Sequence, residues 1–168
     1  MKRLISVIAL LFLTGCAAVS SIPTHATSEG GAIRASGGSF GVSDSGNYDL
    51  TKCRPPGGLG VFTFNGSGSA NFIHKEIETG RMNSDDSSCN GWRGSATLTS
   101  AARPRNSIKM KLSTTTNNTP CVLFGHAIKF TVTGGTGRFA NATGTGTVAF
   151  ACHSNGTYTD KWSGTVTF

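Results

Sequence analysis

Beyond about residue 38, no ten consecutive residues place apolar side chains at the helical period of about 3.6, which excludes a helical or α/β core. Short runs rich in β-branched and aromatic residues take its place, each cut off by glycine, serine, asparagine or proline. Alternation is clearest over residues 61–64, 70–77, 94–99 and 108–112. In the last of these, Ile108, Met110 and Leu112 face a core while Lys109 and Lys111 face water. Further strands are predicted over 122–132, 146–152 and 157–168, the last carrying Trp162, Val166 and Phe168. Turn chemistry separates the runs at Pro55-Pro56-Gly57-Gly58, Asn65-Gly66, Asn90-Gly91, Arg103-Pro104-Arg105-Asn106 and Asn155-Gly156. Exposed edges are a hazard for such a sheet, and closure is the usual solution at this strand count. The expected fold is therefore all-β, a single antiparallel β-barrel of about eight strands, disulfide-bonded.

The first residues carry a different message. Met1-Lys2-Arg3, an apolar run over residues 4–13, and then Thr14, Gly15 and Cys16 form the three-part layout of a secretion signal. The run is too short to span a bilayer as a mature helix. Leu13-Thr14-Gly15-Cys16 resembles the bacterial lipobox, which implies cleavage before Cys16 and a lipid on its sulfur. Ordinary cleavage after Ala18 or after Ala26 is the alternative. The expected organisation is a signal over 1–16, a flexible tether over 17–38 and a barrel domain over 39–168. The tether is rich in Ser, Thr, Pro, Gly and Ala, a composition that cannot offset the entropy of ordering.

Cys53, Cys89, Cys121 and Cys152 remain after lipidation at Cys16 or cleavage after Ala26, and in an exported chain they imply two disulfides. Of three connectivities, Cys53 with Cys89 and Cys121 with Cys152 is favoured, because both pairs close moderate loops between neighbouring strands. No two cysteines sit at CxxC spacing and no two histidines at i, i+4, so neither a metal nor another cofactor is expected. The mature chain, about 150 residues, is one domain. Removing Lys2 and Arg3 leaves 13 basic against 8 acidic residues, a net charge of +5 that favours anionic surfaces only weakly.

The segment Thr133-Gly134-Gly135-Thr136-Gly137-Arg138-Phe139-Ala140-Asn141-Ala142-Thr143-Gly144 resembles the GGTGRF-x-x-A-x-G stretch of dirigent and allene oxide cyclase proteins and of exported bacterial proteins of similar size. The resemblance covers about a dozen residues and implies a closed eight-stranded antiparallel barrel. In physical terms, a strand ending at Val132 meets glycines that permit a tight corner, Phe139 plugs the core, and Arg138 points outward or caps carbonyls. Ala142 and Gly144 leave room for close backbone approach. The motif turn, Gly134, Gly135, Gly137, Arg138 and Phe139, is read first as a barrel corner and second as a ligand site. Gly135, Gly137 and Ala140 also match GxGxxA, but residues 141–146 are too rich in Gly and Thr to open the helix that a dinucleotide fingerprint needs.

No catalytic motif is present. The candidates for chemistry are His74 beside Glu76, His126, His153, and the acids Asp49, Asp85, Asp86 and Asp160. His74 and Glu76 share a strand face with Phe72, opposite Ile73, Lys75 and Ile77, and a solvated face is the favoured reading. His126 alternates with Phe124 and Ile128 and is read as a satisfied buried histidine. Among Trp92, Trp162, Tyr48 and Tyr158, which could stack on a sugar or partner, Trp162 is read as core and Trp92 as partly exposed. Arg103, Arg105, Lys109 and Lys111 form the densest basic cluster, read as a solvated face; with no aromatic interleaved, nucleic acid is not expected.

The expected function is a noncatalytic cell-envelope or secreted binding or structural module, a lipoprotein of the bacterial outer membrane or periplasm held by a lipid anchor, or else secreted. It would meet a protein or a small hydrophobic ligand through Trp92, His126, His74 or Glu76. Two alternatives stand beside it. One is an inhibitor or partner of an extracellular enzyme, acting through a loop anchored by Cys53 or Cys89. The other, implied by the resemblance alone, is an isomerase or cyclase acting on a hydrophobic molecule inside the barrel.

Overall fold

Residues that alternate between core and water along a strand can bury one face only if the sheet curls on itself, and here it does. The computed structural model describes residues 37–114, 121 and 128–168; the expected signal, Cys16, most of the tether and His126 lie outside the described residues. Eight strands follow in order: β1 (Gly37–Thr51), β2 (Val61–Ala70), β3 (His74–Ser84), β4 (Trp92–Ser100), β5 (Ser107–Thr114), β6 (Ile128–Thr136), β7 (Thr143–Cys152) and β8 (Thr157–Thr167). Each pairs antiparallel with its sequence neighbours, and β8 returns to β1 from Gly37↔Thr167 to Asn47↔Thr157, closing the barrel. Among the described residues the one helical element is a 3-10 turn over Gly137–Phe139. The expected fold class is the observed one.

The interior is largely aromatic. Phe64 and Phe150 meet with ring centroids 4.9 Å apart, Phe62 and Phe150 at 5.4 Å, and Phe130 and Trp162 at 5.4 Å, mostly edge to face. Inward-facing glycines make room for these rings: a Cβ at Gly80 would strike the Phe64 ring, and one at Gly146 the Phe130 ring. Trp92 is 0 % exposed, which corrects the expectation of partial exposure. The turn before it delivers its indole inward, over Gly60.

Two disulfides, Cys53–Cys89 and Cys121–Cys152, join the favoured pairs. They lie at one end of the barrel, with the β1–β2, β3–β4 and β7–β8 connections. The β2–β3, β4–β5 and β6–β7 turns gather at the other end, as antiparallel order requires.

Several local expectations are corrected. Asn65-Gly66 is not a turn but lies inside β2, where Gly66 pairs with Gly46 and with Glu78. The run over 70–77 is broken by a turn at Asn71, Phe72 and Ile73, after which β3 starts at His74 with φ of +63°. β6 does not end at Val132; it continues to Thr136, accommodating a register shift between Lys109 and Met110 on β5. Residues 122–127 lie outside the described residues. β1, rich in Gly, Ser and Asp, was not among the named runs, yet it lines the interior with Phe40, Val42 and Asp44.

Candidate functional site

Two places hold chemistry. The first is a pocket of about 470 Å³ at the end of the barrel away from the disulfides, where the three turns converge. The β2–β3 turn supplies Phe72, His74 and Lys75, the β4–β5 turn Arg103, and the β6–β7 corner Arg138 and Phe139. Among the described residues no acidic side chain lines it.

Arg138 is fixed in this pocket. Its Nη2 donates to the Phe72 carbonyl, and its guanidinium lies 4.6 Å from the Phe139 ring centre and 5.7 Å from that of Phe168. Phe139 and Phe168 pack at 4.8 Å, and Phe72 and Phe168 at 5.2 Å. The corner forms as the motif suggests: Gly137 takes φ of +58°, Phe139 is fully buried, and Arg138 caps a carbonyl. Gly144 lies against the Thr165 carbonyl, where a Cβ would not fit. On the β4–β5 side, Ser100 Oγ accepts from the Arg103 amide at 3.2 Å, and the Asn106 amide donates to the Arg103 carbonyl at 2.8 Å. His74 sits in the left-handed region, which costs a non-glycine residue free energy and is more often found where function holds it.

The second place is inside the barrel. Glu76 and Glu78 of β3, Asp44 of β1 and Asp160 of β8 all point inward and are buried, Glu76 being 1 % and Glu78 0 % exposed. The expectation that His74 and Glu76 share a solvated face is thereby overturned. His74 is exposed, Glu76 is interior, and Ile77, at 50 % exposure, takes the water side. The turn at residues 71–73 and the positive φ of His74 break the alternation from which the shared face was read.

The register explains how four carboxyls fit. Asp44 pairs with Asp160 on one side and Gly68 on the other, and Gly68 pairs with Glu76. A Cβ at Gly68 would strike the Asp44 carboxylate, and one at Gly66 would lie 2.5 Å from the Tyr158 hydroxyl. Tyr158 donates to Glu78 Oε2 at 2.6 Å, Trp162 Nε1 donates to Asp160 Oδ2 at 3.1 Å, and the Asp44 amide donates to Asp160 Oδ1 at 3.2 Å. Both oxygens of Asp44, both of Glu76 and Oε1 of Glu78 accept from no donor group; the carboxyls of Asp44 and Glu76, and those of Glu78 and Asp160, instead meet each other. Among the described residues no basic side chain forms an ion pair with any of the four; the one salt bridge joins Arg93 to Asp85.

Burial without a basic partner pushes these groups toward the protonated form. Burial, then Asp44 and Asp160, hold Glu76 up at about 9. Burial and the charge of Asp160 hold Glu78 at about 10 against the opposing Tyr158 hydrogen bond. Burial and Asp44 raise Asp160 to about 7, and burial raises Asp44. The Tyr158 hydroxyl is pushed up by burial and by Glu78.

The remaining candidates separate. Asp86 accepts from the Ser88 and Asn90 amides and from Asn90 Nδ2, which lowers its carboxyl below the usual range and marks it as a turn-former. The exposed His153 gives its carbonyl to the Tyr48 hydroxyl at 2.9 Å. Tyr158 and Trp162 are core, so the two tyrosines and two tryptophans form no stacking surface. Arg103 enters the pocket while Lys109 and Lys111 stay on the outer face of β5, so the basic cluster is divided. Sequence reasoning missed Asp44 and Glu78 altogether. The signal for Glu78 was available in Glu76-x-Glu78, two acids at strand spacing opposite the inward glycines of Gly66-x-Gly68. No protein-family model matches this chain, and neither a curated protein nor a solved structure is found similar to it.

Proposed function

We propose that the protein is an exported, lipid-anchored binding module whose barrel-end pocket takes a small anionic ligand with an apolar or aromatic part. The observation that carries this reading is the lining itself. Lys75, Arg103 and Arg138 line it together with His74, Phe72 and Phe139, with no acid among the described residues of the lining to neutralise them. The volume is that of a small-molecule site, and a fixed guanidinium stacked on phenyl rings suits an anionic headgroup beside an apolar body. The packed aromatic interior favours this end pocket over a substrate chamber inside the barrel.

Phenyl phosphate is the probe. It should bind the full chain in a calorimetric titration, more weakly as salt rises, and Lys75→Ala and Arg103→Ala should each weaken it about tenfold. Equal binding of benzyl alcohol, or indifference to both substitutions, would reject the anionic reading. Anchoring rests on the lipobox at Leu13-Thr14-Gly15-Cys16. Intact mass of protein from its native host should show a chain starting at Cys16 with added diacylglyceryl mass; a start at Thr27 without lipid removes the anchor and leaves a secreted module.

A further inference from the structure

We propose that Asp44, Glu78 and Asp160, with Glu76 beside them, form an interior binding site for one hard divalent cation, calcium. One carboxylate oxygen from each of the three comes together with the other two within 4.8 Å. Calcium, with oxygen contacts of about 2.3 to 2.6 Å and a flexible geometry, suits three such oxygens on a fixed barrel wall better than magnesium, which demands near-ideal octahedral contacts at about 2.0 to 2.1 Å. The donors are all oxygen, with no thiolate or imidazole among them, which selects a hard ion.

Glu76 is the independent observation. It stands outside the triad, two residues from Glu78 on the inward face of β3, buried at 1 % exposure, and its carboxyl meets that of Asp44 while neither of its oxygens accepts from a donor group. Gly68, between Glu76 and Asp44 in the register, leaves the gap into which the Asp44 carboxylate extends. A buried carboxylate without donor or counter-charge is costly unless it is protonated or holds a cation, and here oxygens that accept from no donor come from two strands, Asp44 on β1 and Glu76 and Glu78 on β3. The neighbours behave as supports for ligands: Tyr158 holds one oxygen of Glu78 and Trp162 one oxygen of Asp160, leaving Glu78 Oε1 and both oxygens of Asp44 free to coordinate.

The test uses the full chain, stripped with chelator. At about pH 8 and about a hundredfold calcium over Kd, the melting temperature should rise by roughly 5 to 10 °C, and by much less near pH 5, where protons compete for the same oxygens. Terbium(III) should give tryptophan-sensitised emission, because Trp162 hydrogen-bonds a proposed ligand, and calcium should quench it by displacement. Asp44→Asn and Glu78→Gln, with folding checked by near-ultraviolet circular dichroism, should lose both responses, while Asp86→Asn at the surface keeps them. A wild-type chain with neither response overturns the proposal whatever the variants do. So does a calcium shift that survives in both Asp44→Asn and Glu78→Gln, since the ion then sits elsewhere.

Discussion

Gly68 faces the interior directly beside Asp44, and a methyl group there would strike both the Asp44 carboxylate and the Ser43 carbonyl. The position has no slack, because the carbonyl belongs to the paired strand. Gly68→Ala should therefore cost about 1 to 3 kcal/mol as overpacking, read as a lower urea midpoint. Gly41→Ala is the comparison: its nearest neighbour would be the Asn71 side chain, at an ordinary 3.5 Å, and it should change stability by less than about 0.5 kcal/mol. Equal effects at the two sites would mean that the space opposite Asp44 is not tight. At this scale the sequence misleads wherever residue type is taken as a proxy for burial. Glutamate at 76 and 78 is core and isoleucine at 77 is exposed, and the cause lies in contacts with Gly66, Gly68 and Asp160 that no local pattern encodes. Phe139 and Arg138 were legible because their corner is built from adjacent residues.

At the scale of elements, turns at Pro55-Pro56-Gly57-Gly58, Arg103-Pro104-Arg105-Asn106 and Asn155-Gly156 fall where their chemistry puts them; the Asn106 amide reaches the Arg103 carbonyl at 2.8 Å and Gly156 takes φ of +82°. Asn65-Gly66 has equal turn chemistry and lies in a strand. What separates the cases is the demand from across the barrel: Gly66 must leave room for the Tyr158 hydroxyl, so here glycine is chosen for its missing side chain. β1 is poor in β-branched residues for a related reason, since Gly46 faces inward opposite Gly66 and Asp44 faces the other acids. The end pocket was half legible. His74, Arg138 and Phe139 were candidates in separate roles, but only the antiparallel order brings the β2–β3, β4–β5 and β6–β7 turns to one end and adds Arg103 and Lys75 to them.

For the whole molecule, the four interior carboxyls link stability to pH in the direction opposite to that of a salt-bridged surface. In the metal-free protein Asp160, Glu76 and Glu78 keep their protons to about 7, 9 and 10, whereas the unfolded chain releases them at 3.8, 4.5 and 4.5. Between those limits the folded state binds more protons than the unfolded one, so unfolding free energy falls as pH rises. The contribution is fully present below about pH 4 and is lost progressively up to about pH 10. Facing these groups are each other, Asp44, and the Tyr158 and Trp162 donors; no base among the described residues is ion-paired with them to cancel the effect. Each proton held only by the folded state gives a slope of about 1.4 kcal/mol per pH unit. Urea midpoints in chelator should therefore decline from about pH 5 to pH 9, and Glu76→Gln with Glu78→Gln should flatten the decline, because an amide mimics the neutral acid and does not titrate. A midpoint that rises with pH over this range would mean that the carboxyls are ionised in the folded barrel and compensated there. Calcium in place of chelator should oppose the decline by supplying the missing positive charge, which makes the pH dependence of the stripped protein the baseline against which an interior cation is seen.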